Sequence, residues 1–127
     1  MRVVLVVLLF VVLLNAEHVR WQGDFEKARE EAVAENKELM VLLISEQCVA
    51  CMQMLTTTFL DQPYIAYLNQ NYVAVLVRKG QRHSYPIELL YTLEYPTLFF
   101  LDQEESYTKE ALHGYISPKA LQVHLDN

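Results

Sequence analysis

A chain of 127 residues with a formal net charge of −6 has room for one domain and no second core of useful size. At 53% hydrophobic and 20% charged, with three glycines and four prolines, it has the composition of a globular protein. The acidic balance argues against nucleic acid or an anionic membrane surface as partner; Arg78, Lys79 and Arg82, the one basic cluster, read as a solvated loop.

The chain opens with Met1 and Arg2, followed by an unbroken apolar run from Val3 to Leu14 and the small residue Ala16. A basic start, an apolar stretch and a small residue at a cleavage point predict a signal peptide over 1–16 and a mature domain over 17–127. Twelve apolar residues fall short of the ~20 that a membrane-spanning helix needs. A buried N-terminal strand or an uncleaved anchor is the alternative, so membrane association is expected only through an uncleaved signal segment. Export would place the two cysteines outside the reach of cytosolic reductants. The ending Leu125-Asp126-Asn127 is no endoplasmic-reticulum retention signal, which directs the expectation to the periplasm, with secretion as the alternative.

Asp24 is a good N-cap for a first helix reaching Asn36 or Lys37, with Phe25, Ala28, Ala32 and Val33 at helical spacing. Leu39 to Ile44 reads as a strand buried on both faces. A helix starting near Cys48 follows, with Met52, Leu55 and Phe59 on one stripe and Thr56-Thr57-Thr58 weakening it. Asp61-Gln62-Pro63 breaks this helix, and a second piece carries Ile65 and Leu68. Tyr72 to Val77 forms another apolar strand, then Arg78 to Ser84 a polar loop. Pro86 suits the start of a short helix to about Thr92. Thr97 to Leu101 and the more polar Tyr107 to His113 are two further strands, separated by a turn, and Gly114 ends the second. Ser117-Pro118 starts a final helix with Leu121 and Leu125. The order is that of one α/β domain with four strands.

The chemistry concentrates in Cys48-Val49-Ala50-Cys51, at the junction of a buried strand and a helix. Free N–H groups and partial positive charge at a helix start favour thiolate over thiol. Cys48 gains most, so it is the expected nucleophile toward a substrate disulfide, and Cys51, one turn on, the expected resolving thiol. Other readings compete. A structural disulfide closing so short a loop would add only ~2 kcal/mol. Zinc would need two more ligands, and His18, His83, His113 and His124 show no paired spacing. Haem attachment requires His where Met52 stands. Copper held by the thiolates and a histidine remains open.

On these residues the chain resembles the thioredoxin-like superfamily over roughly 21–126, in particular its exported members with Met and a short Asp–Pro helix break after the motif. Here the matching positions are Cys48, Cys51, Met54, Asp61 and Pro63, with Tyr95-Pro96-Thr97 before the third strand and Gly114 and Ser117-Pro118 near the end. The resemblance implies a central mixed four-stranded sheet flanked by helices. It also implies a cis peptide before Pro96, and contacts to the substrate chain from Tyr95 and Pro96; a plain strand-entry proline is the alternative. The chain departs from thioredoxins proper at Gln47, where they have Trp, at Leu42, where they bury Asp, and at Leu76, where the partner Lys falls. Losing both charges together is coherent, because either alone would be buried unpaired. Glu46 reads as a loop carboxylate, with a substitute base as the alternative.

The leading expectation is therefore an exported thiol–disulfide oxidoreductase, acting as a monomer without cofactor or metal. Its partners would be protein thiols and disulfides and an upstream redox protein. Identical cysteine pairs in this fold span ~150 mV, and the lean toward reductase comes only from the group resembled. The competing expectation is a non-catalytic thioredoxin-like binding module or a copper-handling protein. Met52, Met54, Tyr64 and Tyr95 are either its apolar surface or simply core.

Overall fold

The computed structural model describes residues 17–81 and 85–127. The signal-peptide expectation for 1–16, and Arg82 and His83, lie outside the described residues. Regular structure runs as β1 (Trp21–Gln22), α1 (Phe25–Glu35), β2 (Glu38–Ile44), α2 (Val49–Gln53), a π-helical segment (Met54–Thr58), α3 (Ile65–Asn71), β3 (Tyr72–Arg78), β4 (Thr97–Leu101), β5 (Tyr107–His113) and α4 (Pro118–Asp126).

The strands form one mixed sheet in the order β1-β3-β2-β4-β5. β1 and β2 flank β3 in parallel, while β4 runs antiparallel to both β2 and β5. The expected count of four strands is corrected to five. Trp21 and Gln22 pair with Ala74 and Val75, and a two-residue strand is too short to show periodicity.

Period-two alternation along the strands divides the core into two layers. Met40, Leu42 and Ile44 of β2 and Leu98 and Phe100 of β4 face one side, against Cys51, Met54, Ile65, Leu68, Leu121 and Leu125. Leu39, Val41 and Leu43, with Val73, Val75, Val77, Phe99 and Leu101, face the other, against Phe25, Ala28, Ala32 and Leu90. The cysteine-bearing helix and α1 thus lie on opposite faces of the sheet.

The caps act where the residue types require them. Asp24 accepts the Lys27 N–H at 3.1 Å, and Ser117 Oγ accepts the Ala120 N–H at 3.2 Å. Asn36 closes α1 in the left-handed region at φ 55°, which Asn tolerates better than most residues. Three helical expectations are corrected. Val33 and Met52 are exposed; the buried stripe after the motif is Cys51, Met54, Thr58 and Phe59. The helix expected from Pro86 to Thr92 is a single turn closed by the Leu90 N–H donating to the Pro86 carbonyl at 3.0 Å. Leu90 is the one deeply buried apolar side chain of that turn, so no continuous apolar face holds a longer helix.

Candidate active site

The chain leaves β2 through an exposed Glu46–Gln47 turn, with Gln47 at φ 53°, and enters α2 at Cys48. Cys48 is the N-cap of α2, with extended backbone. Its Sγ accepts the Cys51 N–H at 3.1 Å, as an N-cap side chain does. Cys48 and Cys51 are joined by a disulfide, with an S–S distance of 2.07 Å. The two sulfurs differ in access: Cys48 is half-buried, whereas Cys51 is 1% exposed within the apolar layer. An incoming thiolate therefore reaches Cys48 first. Around the pair the exposed apolar side chains are Val49 and Met52; Met54 and Tyr64 belong to the core.

The threonine run shapes the helix behind the disulfide. Thr56 Oγ1 donates to the Met52 carbonyl at 2.9 Å and Thr57 Oγ1 to the Gln53 carbonyl at 2.6 Å. Hydroxyls that bond the preceding turn compete with the main-chain ladder, and here the helix widens to π, with the Phe59 N–H reaching the Met54 carbonyl. Buried Thr58 turns the other way and donates to the Ile116 carbonyl at 2.6 Å, tying this helix to the segment before α4. Tyr64 Oη donates to the Thr58 carbonyl at 2.6 Å, and burial, with a smaller effect of Tyr115, pushes its phenol up to about 12.

The Tyr95–Pro96 peptide is cis, and Pro96 is buried at the entry to β4. Gly114 N–H donates to the Pro96 carbonyl at 2.7 Å, fixing the end of β5 against this loop. Gly114 has φ 78°, a left-handed conformation that favours glycine; a Cβ there would only push aside the end of the exposed Glu94 side chain, 2.9 Å away. A polar cluster holds the loop from inside the sheet end. Thr97 Oγ1 donates to the Glu94 carbonyl at 2.6 Å and lies 3.0 Å from His113 Nδ1. Thr92 Oγ1 accepts the Glu94 N–H at 3.1 Å and lies 3.0 Å from Thr97 Oγ1. Sequence reasoning missed Thr92 and His113; the only trace of them was polar residues bracketing Tyr95-Pro96. Tyr95 is half-buried and packs against both core layers, with Lys79 Nζ 5.5 Å from its ring centroid. Burial, followed by Tyr85 and Tyr91, raises the Tyr95 phenol above its ordinary value.

Leu42 and Leu76 are register partners on β2 and β3, with Leu42 fully buried and Leu76 packed against the same layer. The two departures from the thioredoxin pattern are thus neighbours, and an apolar pair occupies their place. Glu46 is exposed. Among the described residues no group of three or more His, Cys, Asp or Glu side chains is placed to hold a metal ion, and no helix is long and apolar enough to cross a membrane.

A family model described as thioredoxin-like matches residues 20–103. No curated protein matches the chain. Among solved structures, the chain is similar to a thioredoxin from Thermus thermophilus, at 21% identity over 86% of this chain and 85% of that one, with a TM-score of 0.67. It is similar to the oxidoreductase DsbH at 14% identity, covering 84% and 81%, with a TM-score of 0.65. It also resembles the oxidised C-terminal domain of DsbD from Neisseria meningitidis at 15% identity, covering 84% and 99%, with a TM-score of 0.60. At these identities the likeness is one of fold.

Proposed function

The chain belongs to the thioredoxin-like family, and on that premise we propose that it is an exported thiol–disulfide oxidoreductase acting on protein thiols and disulfides. The carrying observation is the asymmetry of the pair: Cys48 at the helix start within reach of solvent, Cys51 sealed in the core one turn away. In the reduced protein the helix-end N–H groups stabilise the Cys48 thiolate. That thiolate attacks a substrate disulfide, one substrate sulfur leaves as thiolate, and a mixed disulfide forms. The Cys51 thiol loses its proton and attacks Cys48 Sγ, releasing the second substrate thiolate and regenerating the intramolecular disulfide. Two electrons pass from the pair to the substrate, and an upstream redox protein returns them.

Tyr95 and Pro96 line the substrate path in this reading, braced by Gly114 and the Thr92–Thr97–His113 cluster. The reductase direction is favoured by the group of relatives the motif resembles. The apolar start over 1–16 supports export, with the periplasm as the compartment and 17–127 as the mature domain. The test is dithiothreitol-driven reduction of insulin: the reading predicts acceleration by the wild type and background rates for Cys48→Ala. Equal rates for the two would favour a non-catalytic module instead.

A further inference from the structure

Sulfur among the described residues sits on Cys48, Cys51, Met40, Met52 and Met54. Met40 and Met54 are fully buried, and Cys51 is sealed in the core. In the oxidised protein both cysteines are spent on their own bond, so neither offers a thiol. Met52 stands apart: it is 58% exposed, directly after Cys51 and four positions after Cys48. Its main chain is pinned from both sides. The Met52 N–H donates to the Cys48 carbonyl at 3.3 Å, and the Met52 carbonyl accepts a bond from Thr56 Oγ1 of the π-helical segment at 2.9 Å. A helical methionine leans back over the residues three and four before it, which here are the exposed Val49 and Cys48. The one exposed thioether of the described residues is therefore held beside the sulfur that meets substrate.

An exposed thioether accepts an oxygen atom from a peroxide, whereas a buried one is screened by its neighbours. We propose that Met52 is an oxidation site, at which a peroxide converts the thioether to the sulfoxide and thereby slows exchange with protein substrates. In that step the peroxide O–O bond breaks, a sulfur–oxygen bond forms at Met52 Sδ, and water leaves when hydrogen peroxide is the oxidant. The sulfur loses two electrons and the peroxide gains them. The product is a polar, hydrated group on the apolar patch of Val49 and Met52. An arriving polypeptide must strip its water to bring a disulfide onto Cys48. A small disulfide touches little beyond the sulfurs and does not meet that cost. Enzymatic reduction of the sulfoxide restores the thioether, so the change is reversible. The oxidation stands on burial and geometry alone; its consequence for exchange rests on the oxidoreductase reading.

To test this, the disulfide form of the full chain is treated with hydrogen peroxide, quenched with catalase and mapped by peptide mass spectrometry. Met52 should gain one oxygen atom at least about tenfold faster than Met40 or Met54, as their burial requires. Equal rates at the three positions would overturn the assignment. The treated and untreated proteins are then prereduced with dithiothreitol, which leaves the sulfoxide in place, and assayed with insulin and with dithiobis(nitrobenzoate). Insulin reduction should fall about tenfold, while the reaction with dithiobis(nitrobenzoate) should change by less than about twofold. Treatment with methionine sulfoxide reductases for both epimers should restore the insulin rate.

Met52→Leu keeps the bulk and lacks the acceptor sulfur, so its insulin rate should be the same before and after peroxide. Met52→Gln, a polar mimic of the sulfoxide, should reduce insulin about as slowly as the peroxide-treated wild type. The side chain is exposed, and an unchanged melting curve verifies the fold of either variant. A treated wild type that reduces insulin at the untreated rate would overturn the effect on exchange. So would an equal loss after peroxide in Met52→Leu, which would put the damage elsewhere. Absence of any exchange by the untreated protein would instead overturn the oxidoreductase reading, while mass spectrometry would still decide where oxygen is gained.

Discussion

Leu42→Asp puts a carboxyl into the driest part of the sheet. Leu42 is 0% exposed and lies between Leu76 on β3 and Leu98 on β4. Losing a fully buried leucine side chain costs ~3 kcal/mol at either pH. An unpaired carboxyl in such a place has its pKa raised by ~3 units, from ~3.9 to ~7. The folded pKa then exceeds the unfolded one, so no ionisation cost arises below pH ~4, and it grows as pH rises toward ~7. At ~1.4 kcal/mol per unit it amounts to ~1.5 kcal/mol at pH 5 and ~4 kcal/mol at pH 8. Total losses of ~4.5 and ~7 kcal/mol compare with the ~5–15 kcal/mol that holds a domain together. Urea unfolding at the two pH values is followed through Trp21, the sole tryptophan, whose ring lies 5.0 Å edge-on from Phe59. Leu42→Asn, which does not titrate, controls for lost packing. The variant should be ~2–3 kcal/mol weaker at pH 8 than at pH 5, with no such difference for Leu42→Asn. Equal pH dependence in the two variants would refute the dry apolar pairing of Leu42 and Leu76.

Thr58→Val removes the donor that buries its bond in the Ile116 carbonyl, and should cost ~1–3 kcal/mol in urea unfolding while leaving exchange with small disulfides unchanged. Burial, with smaller effects of Tyr67 and Glu38, pushes the Tyr72 phenol up to about 12, as burial does for Tyr64. Their folded pKa values lie above the unfolded value, so the stability they contribute is complete below pH ~10 and is lost as pH rises through about 12. Tyr72→Phe should flatten that alkaline loss, and ultraviolet titration should lose one late-ionising phenol.

How much of this was legible beforehand depended on whether a signal was local. The bounds of β4 and β5 and the Ser117-Pro118 start of α4 follow from apolar runs, turn residues and caps, which act within a few positions. Cys48 and Cys51 were legible for the same reason, since strand, motif and helix are contiguous. Tyr95 and Pro96 were reachable only through the family resemblance, because nothing in their neighbourhood distinguishes a cis proline from one at a strand entry.

Other features were set by tertiary contacts. The single turn at Pro86 looked helical until burial singled out Leu90 among its apolar side chains. The π-helical segment arises from hydroxyl bonds to the previous turn, which propensities register only as weakness. The Thr92–Thr97–His113 cluster draws on residues 21 positions apart in sequence, and β1 is too short to carry a pattern.

The central claim is that Cys48 forms a covalent bond with the substrate's sulfur and Cys51 resolves it. The most direct measurement incubates prereduced Cys51→Ala with insulin or an unfolded disulfide protein and examines the products by non-reducing electrophoresis and mass spectrometry. The account predicts an adduct through Cys48 that dithiothreitol releases, and none when Cys48→Ala takes its place. An adduct carried equally by Cys48→Ala, or no adduct with either variant, would contradict it.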